Sequence, residues 1–314
     1  PLFAFAGWFT EPNGKGIQYT DYTGTSIDKY VRAGNCRLYA YYAEIFEFKL
    51  TNGDKEYAVL KGEGIGYVSE VKVPGKYNDK NVTVITSFAD CRNITRLYLP
   101  DTVTAVEVGM DGGYTSGSAF ANCANLDWIE MYHVEGAGKA KYKTENGILY
   151  KRLQDTDTYE LAYYPKYREG AYVIPSYVVN IPVKALYQKN NLTELTVPSS
   201  VVKIGDSAFA SCSTLYKITF MSDETAKEIA FGTDVFKSNS KLDEITLPDS
   251  IKEFSPTLFD GCSALQNVYI SNNAKYKSIN GVICGVNQTS GAVDTILYFP
   301  RGRDGEYTIP AGIT

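Results

Sequence analysis

The stretch that decides the fold is Ala208-Phe209-Ala210-Ser211-Cys212-Ser213-Thr214-Leu215-Tyr216-Lys217-Ile218-Thr219-Phe220. From Phe209 to Ile218 every third residue is apolar or Cys, and Phe220 follows two positions later. The same frame recurs in five further places. These copies are Ser87-Phe88 to Pro100, Ala119-Phe120 to Met131, Ala185-Leu186 to Pro198, Val235-Phe236 to Pro248 and Leu258-Phe259 to Ile270. Six copies of one spaced pattern indicate a protein built from repeats.

The intervals between copies fix the length of the repeat unit. From residue 189 to 212, and again from 239 to 262, the interval is 23 residues. From 212 to 239 it is 27, which indicates a four-residue insertion, and from 91 to 123 it is 32. The extra residues of the interval from 91 to 123 lie in the Gly-rich segment 109–117. Insertions of this kind are tolerated in a stacked array as loops on one face.

Each unit predicts the same sequence of local structures. The segment Leu-x-x-Ile-x-Leu-Pro favours a short strand with alternate residues pointing inward, and its Pro ends the strand. Residues 201–205 turn the chain on the far side, and Ala208-Phe209 is expected in a helical or 3₁₀ turn that fills the core. One unit has too little apolar surface to fold alone, so neighbouring units must stack. The sequence therefore predicts a curved, mainly β solenoid with a parallel sheet on its concave face.

The pattern Cys-x-x-Leu-x-x-Ile-x-Leu-Pro, with Ala-Phe completed eleven residues after the Pro, resembles the BspA-type leucine-rich repeat of bacterial surface proteins. Two longer stretches, near residues 132–175 and 271–310, strengthen the resemblance. They share an Asn-Gly, a Tyr-Pro or Phe-Pro and a Tyr-x-Ile-Pro in the same order. The resemblance implies a leucine-rich repeat domain over residues 44–314, with these two stretches as hairpin-like insertions.

The first 43 residues do not follow the repeat. Phe5-Ala6-Gly7-Trp8-Phe9-Thr10, Asn13-Gly14 and Leu38-Tyr39-Ala40 are together similar to the closing half of the Listeria-Bacteroides repeat, a small β module of bacterial surface proteins. We therefore expect residues 1–43 to form a partial module of this kind, a β appendage packed on the first repeat.

Composition removes several functional classes. A formal net charge of -5 argues against nucleic-acid binding, which needs a surplus of Lys and Arg, and disfavours anionic membrane surfaces. The single histidine, His133, excludes a metal site with two imidazoles. It lies past a strand from Cys123, so we expect a surface histidine and no catalytic pair. No stretch is long and apolar enough to cross a bilayer. The chain starts at Pro1 without a leader, so we expect a mature form or an excised fragment.

Carboxylates give little evidence of a further site. Asp155, Asp157 and Glu160 alternate as in a calcium loop but lack its Gly and full ligand set, so a polar hairpin tip is favoured. The segments beginning at Asp101, Asp206, Asp249 and Asp294 look like acceptors for bacterial O-glycosylation, yet the same residues suit turns, which we favour. No metal or cofactor is predicted, and the protein is not expected to be an enzyme.

Six cysteines in an exported chain would usually indicate three disulfides. Here four of them occupy one equivalent position of the repeat, which we call the cysteine position. The remaining copies carry a different side chain there. We therefore predict four free, buried thiols, each donating a weak hydrogen bond to a turn carbonyl. The cysteine positions are Cys91, Cys123, Lys189, Cys212, Asn239 and Cys262, whereas Cys36 and Cys284 lie outside the array and are not expected to pair.

The outward-facing side of the strands is the predicted binding surface. It mixes aromatic residues with charges of both signs, which suits a protein or glycan partner better than a small apolar ligand. A merely solvated β face, with Thr chosen for strand propensity, is the open alternative for the middle strands. The predicted binding residues are Tyr98, Trp128, Glu130, Glu194, Lys217, Glu244 and Tyr269.

The resemblance implies a non-catalytic bacterial interaction module, at the cell surface or secreted. Adhesin-like binding of host extracellular matrix proteins, mucosal proteins or other cells is the first hypothesis, through the concave face or the inserted loops. The alternative is a glycan-binding component of a surface polysaccharide-handling system, in which aromatic residues would stack on sugar rings.

Overall fold

The structure is a computed structural model that describes residues 2–27, 37–86, 88–107, 119–120, 122–154, 156–222 and 227–313. The chain divides into two compact units. The first contains Pro1–Gly109 and Gly113–Leu149, and the second contains Met110–Gly112 and Tyr150–Thr314. Two 3₁₀ helices, Glu63–Tyr67 and Pro256–Phe259, are the helical segments of the described residues. The predicted fold class, a mainly β leucine-rich repeat solenoid, is confirmed.

The first unit begins with antiparallel strands and continues with parallel ones. Its strands are β1 (Phe3–Phe9), β2 (Tyr39–Glu44), β3 (Phe46–Thr51), β4 (Glu56–Lys61), β5 (Glu70–Lys72), β6 (Lys76–Tyr77), β7 (Lys80–Ile85), β8 (Arg96–Pro100), β9 (Ala105–Val106), β10 (Trp128–Tyr132) and β11 (Tyr142–Glu145). β1 pairs with β2, and β3 pairs with β4, in antiparallel register. Solenoid turns then stack β5, β8 and β10 in one parallel column and β4, β7 and β9 in another.

The second unit repeats the two-column arrangement. Its strands are β13 (Tyr159–Tyr163), β14 (Gly170–Val173), β15 (Val178–Ile181), β16 (Leu192–Val197), β17 (Lys203–Ile204), β18 (Lys217–Phe220), β19 (Ala230–Phe231), β20 (Glu244–Thr246), β21 (Asn267–Tyr269), β22 (Tyr276–Ile279), β23 (Val282–Val286) and β24 (Val293–Tyr298), while β12 (Ile148–Arg152) contains the sequence boundary between the units. β14, β16 and β18 form one parallel sheet, and β20 with β21 another. The far column is β13, β15, β17 and β19. β22, β23 and β24 form an antiparallel meander within the predicted hairpin-like unit at 271–310.

The β1–β2 ribbon contacts the first 3₁₀ helix. The hydroxyl of Tyr41 donates to Oε2 of Glu63 at 3.2 Å, and the rings of Tyr22 and Tyr67 lie 5.8 Å apart. The boundary of the module predicted at residues 1–43 stays a prediction.

The core follows the predicted apolar positions. In the second unit Phe209, Phe236 and Phe259 are fully buried on successive turns. The rings of Phe236 and Phe259 stack with centroids 5.2 Å apart and planes at 10°. Burying a Phe side chain contributes about 1.5–3 kcal/mol, so this column of rings is a large part of what joins one turn to the next.

Proline marks the corner after several of the strands, as predicted for the copies that carry it. The carbonyls of Pro175, Pro198 and Pro248 each accept a hydrogen bond from the backbone N–H three residues later. Each proline is thus the first residue of a turn, where only its carbonyl is needed and its missing N–H is not required.

The Ala-Phe segments differ from the prediction in one respect. Leu258-Phe259 lies in a 3₁₀ helix, but Ala185-Leu186, Ala208-Phe209 and Val235-Phe236 lie in isolated turns. The residues just before these three copies have positive φ, at Lys184, Ser207 and Asp234, which interrupts a right-handed helix. The copy at 258 follows Ser255-Pro256, and the Ser255 hydroxyl accepts from the Thr257 N–H as a helix cap.

Candidate binding face

We call the solvent-facing side chains of β8, β10, β16, β18, β20 and β21 the strand face. Alternation along each strand places them: Leu97 and Leu99 are buried, and Tyr98 between them is half-buried. In β18 the buried Ile218 separates the exposed Lys217 and Thr219. The predicted inward and outward positions are confirmed, except that Met131 and Phe220, expected inside, are half-buried.

In the first unit the strand face is held in place by contacts among its own side chains. Parallel register sets Trp128 beside Arg96 and Glu130 beside Tyr98. The Arg96 guanidinium carbon lies 5.7 Å from the Trp128 ring centroid, and Arg96 Nε lies 4.0 Å from Glu70 Oε1. The indole N–H of Trp128 donates to Glu130 Oε2 at 3.2 Å. A hydrogen bond with Tyr98, followed by the nearby acidic groups, raises the pKa of Arg96, so its charge is constant.

Trp128 is packed as well as hydrogen bonded. A Cβ placed on Gly147 would lie 2.9 Å from Cε3 of the indole, so the ring rests directly on the glycine backbone. The N–H of Ile129 also donates to the Gly147 carbonyl at 3.1 Å. The Arg96 cation also lies over the ring of Trp128, which is half-buried.

In the second unit two strand-face residues, Glu194 and Lys217, form a cluster with Tyr216, which lies just before β18. Glu194 and Lys217 are register partners on β16 and β18, with Nζ 3.4 Å from Oε2. The Tyr216 hydroxyl donates to Glu194 Oε1 at 2.6 Å. This hydrogen bond, with Lys217 as a further cause, lowers the pKa of Glu194, and the same hydrogen bond raises the pKa of Tyr216.

Tyr216 was not among the residues predicted from the sequence. It is 46% exposed and precedes the first residue of β18. The sequence did carry a signal, because Tyr216 is a large aromatic residue directly before Lys217, one of the predicted binding residues.

A break in the strand column lies next to this cluster. β18 ends one sheet and β20 begins the next, and the two strands border a cleft of about 370 Å³. The predicted four-residue insertion falls between these two strands in the sequence. The cleft is lined by Tyr216, Lys217, Ile218, Thr219, Phe220, Asp243, Glu244, Ile245 and Thr246.

The seven predicted binding residues thus fall into separate groups. Tyr98, Trp128 and Glu130 are together in the first unit. In the second unit Glu194 and Lys217 form an ion pair, Glu244 lines the cleft, and Tyr269 lies beside Thr246 on β21.

The described cysteines, Cys91, Cys123, Cys212, Cys262 and Cys284, are all free and buried, as predicted for the four in the repeat. Cys36 lies outside the described residues. The predicted thiol donation to turn carbonyls is confirmed: Cys212 Sγ lies 3.0 Å from the Leu186 oxygen, and Cys262 Sγ lies 3.0 Å from the Phe236 oxygen. Burial raises the pKa of Cys212 to about 12 and that of Cys262 to about 11, which makes both thiols poor nucleophiles.

Residues considered for catalysis or metal binding have other contacts. His133 Nδ1 lies 2.6 Å from Asp101 Oδ2, while the Cys123 thiol donates to the Phe88 carbonyl at 2.9 Å. Asp157 and Glu160 lie 3.5 and 3.3 Å from Arg152 and Lys151, respectively. Asp155 lies outside the described residues. Across the described ranges, no group of three His, Cys, Asp or Glu side chains could hold a metal, and no helix has the length and apolarity to span a bilayer.

The turn interpretation of the Asp-Ser/Thr segments is supported at three of them. Thr102 is buried and its hydroxyl donates to the Val82 carbonyl at 2.8 Å. Asp206 Oδ1 accepts from the Thr233 N–H, and Asp249 Oδ1 accepts from the Ser271 N–H.

Comparison with known proteins supports the repeat assignment. Residues 173–281 match the sequence model of the BspA type leucine rich repeat region, in six copies. The comparison with curated proteins found no significant match. The two copies at residues 88–100 and 120–131 lie outside the matched range but have the same strand register in the first unit.

Three solved structures are similar to this chain. The chain is 22% identical to a leucine rich cell surface protein from Faecalibacterium prausnitzii A2-165, covering 66% of this chain and 60% of that one, with a TM-score of 0.43. A leucine-rich repeat protein from Bacteroides ovatus ATCC 8483 is 21% identical over 86% of this chain and 59% of its own, with a TM-score of 0.45. The pneumococcal vaccine antigen PcpA is 18% identical over 85% and 57%, with a TM-score of 0.38. The chain therefore spans 57 to 60% of the length of these three.

Proposed function

We propose that this chain, whose residues 173–281 are BspA-type leucine-rich repeats, is a non-catalytic adhesin-like module that binds host extracellular proteins or other cells through its strand face. In this proposal the protein is secreted or displayed at a bacterial cell surface. Leucine-rich repeats are in general protein-interaction modules, and the proposal narrows that general role to one surface.

The observation that carries the proposal is the cluster of Tyr216, Glu194 and Lys217 at the edge of the β18–β20 cleft. These side chains are held by contacts of 2.6 and 3.4 Å, and Tyr216 remains 46% exposed. A tyrosine held by its hydroxyl loses little conformational entropy on binding, so it makes an efficient contact residue.

The cleft adds backbone and polar groups to this surface. β18 and β20 each end a sheet beside it, and Thr219, Glu244 and Thr246 line it. A protein segment could therefore meet hydroxyl groups, carboxylates and strand edges in one place, with Lys217 as the cation. A partner with both charge signs and an extended loop fits this chemistry best.

The glycan alternative is less well supported at Trp128. Stacking on a sugar requires an open ring face, but the indole packs on Gly147 and has the Arg96 cation over it. The alternative therefore depends on Tyr216 and Tyr269, which are 46% and 37% exposed.

The test is binding of the purified chain to a panel of immobilised extracellular matrix proteins and mucins, measured by surface plasmon resonance beside a glycan array. Tyr216→Ala and Lys217→Glu are expected to weaken binding to the responding protein at least ten-fold. The paired exchange Glu194→Lys with Lys217→Glu preserves an ion pair but reverses its orientation, so it distinguishes lost contact from lost folding.

Lys252→Glu is the matched control, because Lys252 is exposed just after Ile251, which pairs with Ile229 in the far column. It makes the same charge change away from the strand face and is expected to leave binding unchanged. Equal loss in Lys217→Glu and Lys252→Glu would assign the effect to net charge and contradict the strand-face proposal. Binding to glycans that Tyr216→Ala and Tyr269→Ala abolish, with no protein ligand, would establish the alternative.

A further inference from the structure

Two cysteines occupy consecutive cysteine positions in the first unit. Arg96 and Trp128 are register partners, and the same offset of 32 residues relates Cys91 to Cys123. In the second unit Asn239 stands between Cys212 and Cys262 in the repeat. The pair Cys91 and Cys123 is therefore the place in the described chain where two repeat cysteines meet on neighbouring turns.

Hydrogen bonds between the two turns bracket the pair on both sides. Asn122 Nδ2 donates to Asp90 Oδ1 at 3.0 Å, immediately before the cysteines. After them, Asn125 Nδ2 donates to the Arg92 carbonyl at 2.7 Å. The register is thus fixed at the cysteines themselves. Neighbouring parallel chains lie ~4.8 Å apart, within the roughly 4.4–6.8 Å between Cα atoms that a disulfide spans.

The two thiols influence each other's titration: interaction with Cys123 raises the pKa of Cys91, and interaction with Cys91 lowers the pKa of Cys123. The Lys61 ammonium favours the thiolate of both, and its Nζ is held nearby by a hydrogen bond to the Ala89 carbonyl. Cys123 is therefore the better nucleophile of the two, and Cys91 is positioned to follow it.

The thiols lie one residue below the surface. Cys91 and Cys123 are 3% and 5% exposed, but Asp90, Arg92 and Asn122 beside them are exposed. A small displacement of these turns would admit a low-molecular-weight disulfide.

We propose that Cys91 and Cys123 are a reversible dithiol–disulfide pair that links two turns of the first unit under oxidising conditions. The oxidant is a low-molecular-weight disulfide such as oxidised glutathione. The Cys123 thiolate attacks one sulfur of that disulfide, forms a mixed disulfide and releases one glutathione thiolate, which takes up a proton. Cys91 then loses its proton to solvent and attacks Cys123 Sγ, expelling the second glutathione. Two protein thiols are oxidised to one disulfide, and one glutathione disulfide is reduced to two thiols.

The disulfide would enclose the Gly-rich insertion 109–117 in a covalent loop between Cys91 and Cys123. It would join the turns on either side of that insertion without changing the strand register that the bracketing hydrogen bonds define. Its chemistry is independent of what the strand face binds, so it can hold or fail separately from the proposed function.

The test is to incubate the native full chain with oxidised glutathione, block remaining thiols, digest with trypsin without reductant, and analyse the peptides by mass spectrometry. Trypsin separates all six cysteines, with Cys91 in residues 81–92 and Cys123 in residues 97–139. The expected product is a cross-linked pair of these two peptides, two hydrogen atoms lighter than their sum, which dithiothreitol releases. Cys212 and Cys262 should carry the blocking group only, with neither glutathione nor a cross-link.

Variants make the result decisive. Cys91→Ser should accumulate glutathione on Cys123, because the second attack is lost, while Cys212→Ser should leave the cross-link intact. Asn239→Cys places three cysteines on successive turns of the second unit, where burial raises the pKa of Cys212 and Cys262, and these should cross-link at least ten-fold more slowly. Stable glutathione adducts on wild-type Cys91 or Cys123, no reaction at either, or cross-links to any other cysteine would each overturn the proposal.

Discussion

The Sγ atom of Cys212 lies 3.0 Å from the carbonyl oxygen of Leu186, which belongs to the preceding solenoid turn. The same relationship recurs at every cysteine position from the second one onward. At Lys189 the donor is Nζ, 2.7 Å from the Tyr164 oxygen, and at Asn239 it is Nδ2, 3.0 Å from the Phe209 oxygen. The position therefore requires a buried side-chain donor that reaches one turn back, and thiol, amine and amide groups all meet that requirement.

Removing the donor at Cys212 should cost more stability than replacing it. Cys212→Ala leaves the Leu186 carbonyl without this donor and adds a small cavity, so we expect a loss of about 1–3 kcal/mol in the free energy of unfolding. Cys212→Ser keeps a donor and should lose less than half as much. Urea unfolding followed by circular dichroism measures both, and equal losses would show that volume alone decides the position.

Part of this arrangement could be predicted from the sequence. The regular spacing identified the cysteine position, its burial and the thiol bond to a turn carbonyl. It did not show why Lys189 and Asn239 are accepted there. Their common property is that each donates a hydrogen bond to a carbonyl of the previous turn, that of Tyr164 or Phe209. That partner becomes visible only when the turns are stacked.

Lys189 should make stability depend on pH. Its side chain is fully buried, and desolvation lowers its pKa to about 7 from 10.5. Between pH 7 and 10.5 the unfolded chain therefore holds one more proton than the folded chain, so stability rises with pH by ~1.4 kcal/mol per unit from this residue. Below pH 7 both states hold the proton, and the unfavourable contribution is constant.

Lys189→Asn isolates this effect, because Asn239 already fills the equivalent position and an amide does not titrate. The difference in unfolding free energy between the variant and the wild type should be largest near pH 6.5 and shrink toward pH 9.5. Chemical denaturation at a series of pH values measures it. A difference that stays the same across this range would contradict the buried, neutral lysine.

Residues with a left-handed backbone conformation should lower the free energy of unfolding in every repeat. The residue before each cysteine position has positive φ, and five of the six carry a Cβ that is unfavourable there. These residues are Asp90, Asn122, Gln188, Ser211, Ser238 and Gly261.

Ser211→Gly, at φ 60°, should therefore raise the free energy of unfolding by about 0.5–1 kcal/mol, and Gly261→Ala, at φ 76°, should lower it by about 1 kcal/mol. Ser263→Gly is the matched control, because Ser263 is exposed and its φ is not positive. It should lower stability slightly. A gain in Ser263→Gly equal to that of Ser211→Gly would point to a cause other than backbone conformation.

The binding face was less predictable than the fold. Alternation placed Glu194 and Lys217 on the same side of their strands, and the register confirmed them as neighbours. Tyr216 was not predicted because it lies outside β18, at a corner where the alternation of a strand no longer indicates which way a side chain points. The β18–β20 cleft was not predicted either. An insertion in the sequence shows where the chain is longer, but it does not show which strands fail to pair.

Gly147→Ala should disturb Trp128 beyond the cost of the backbone conformation alone. Gly147 has φ 75°, and an added Cβ would lie 2.9 Å from the indole, so the ring must shift away. Gly136 has φ 80° with nothing within 4 Å of an added Cβ, which makes Gly136→Ala the control for strain by itself. We expect Gly136→Ala to cost about 1 kcal/mol and Gly147→Ala about twice that. Tryptophan emission should shift in Gly147→Ala alone, since Trp8 is common to both variants. Identical spectra and stabilities for the two variants would mean that Trp128 does not rest on Gly147, and would reopen its ring face to a sugar.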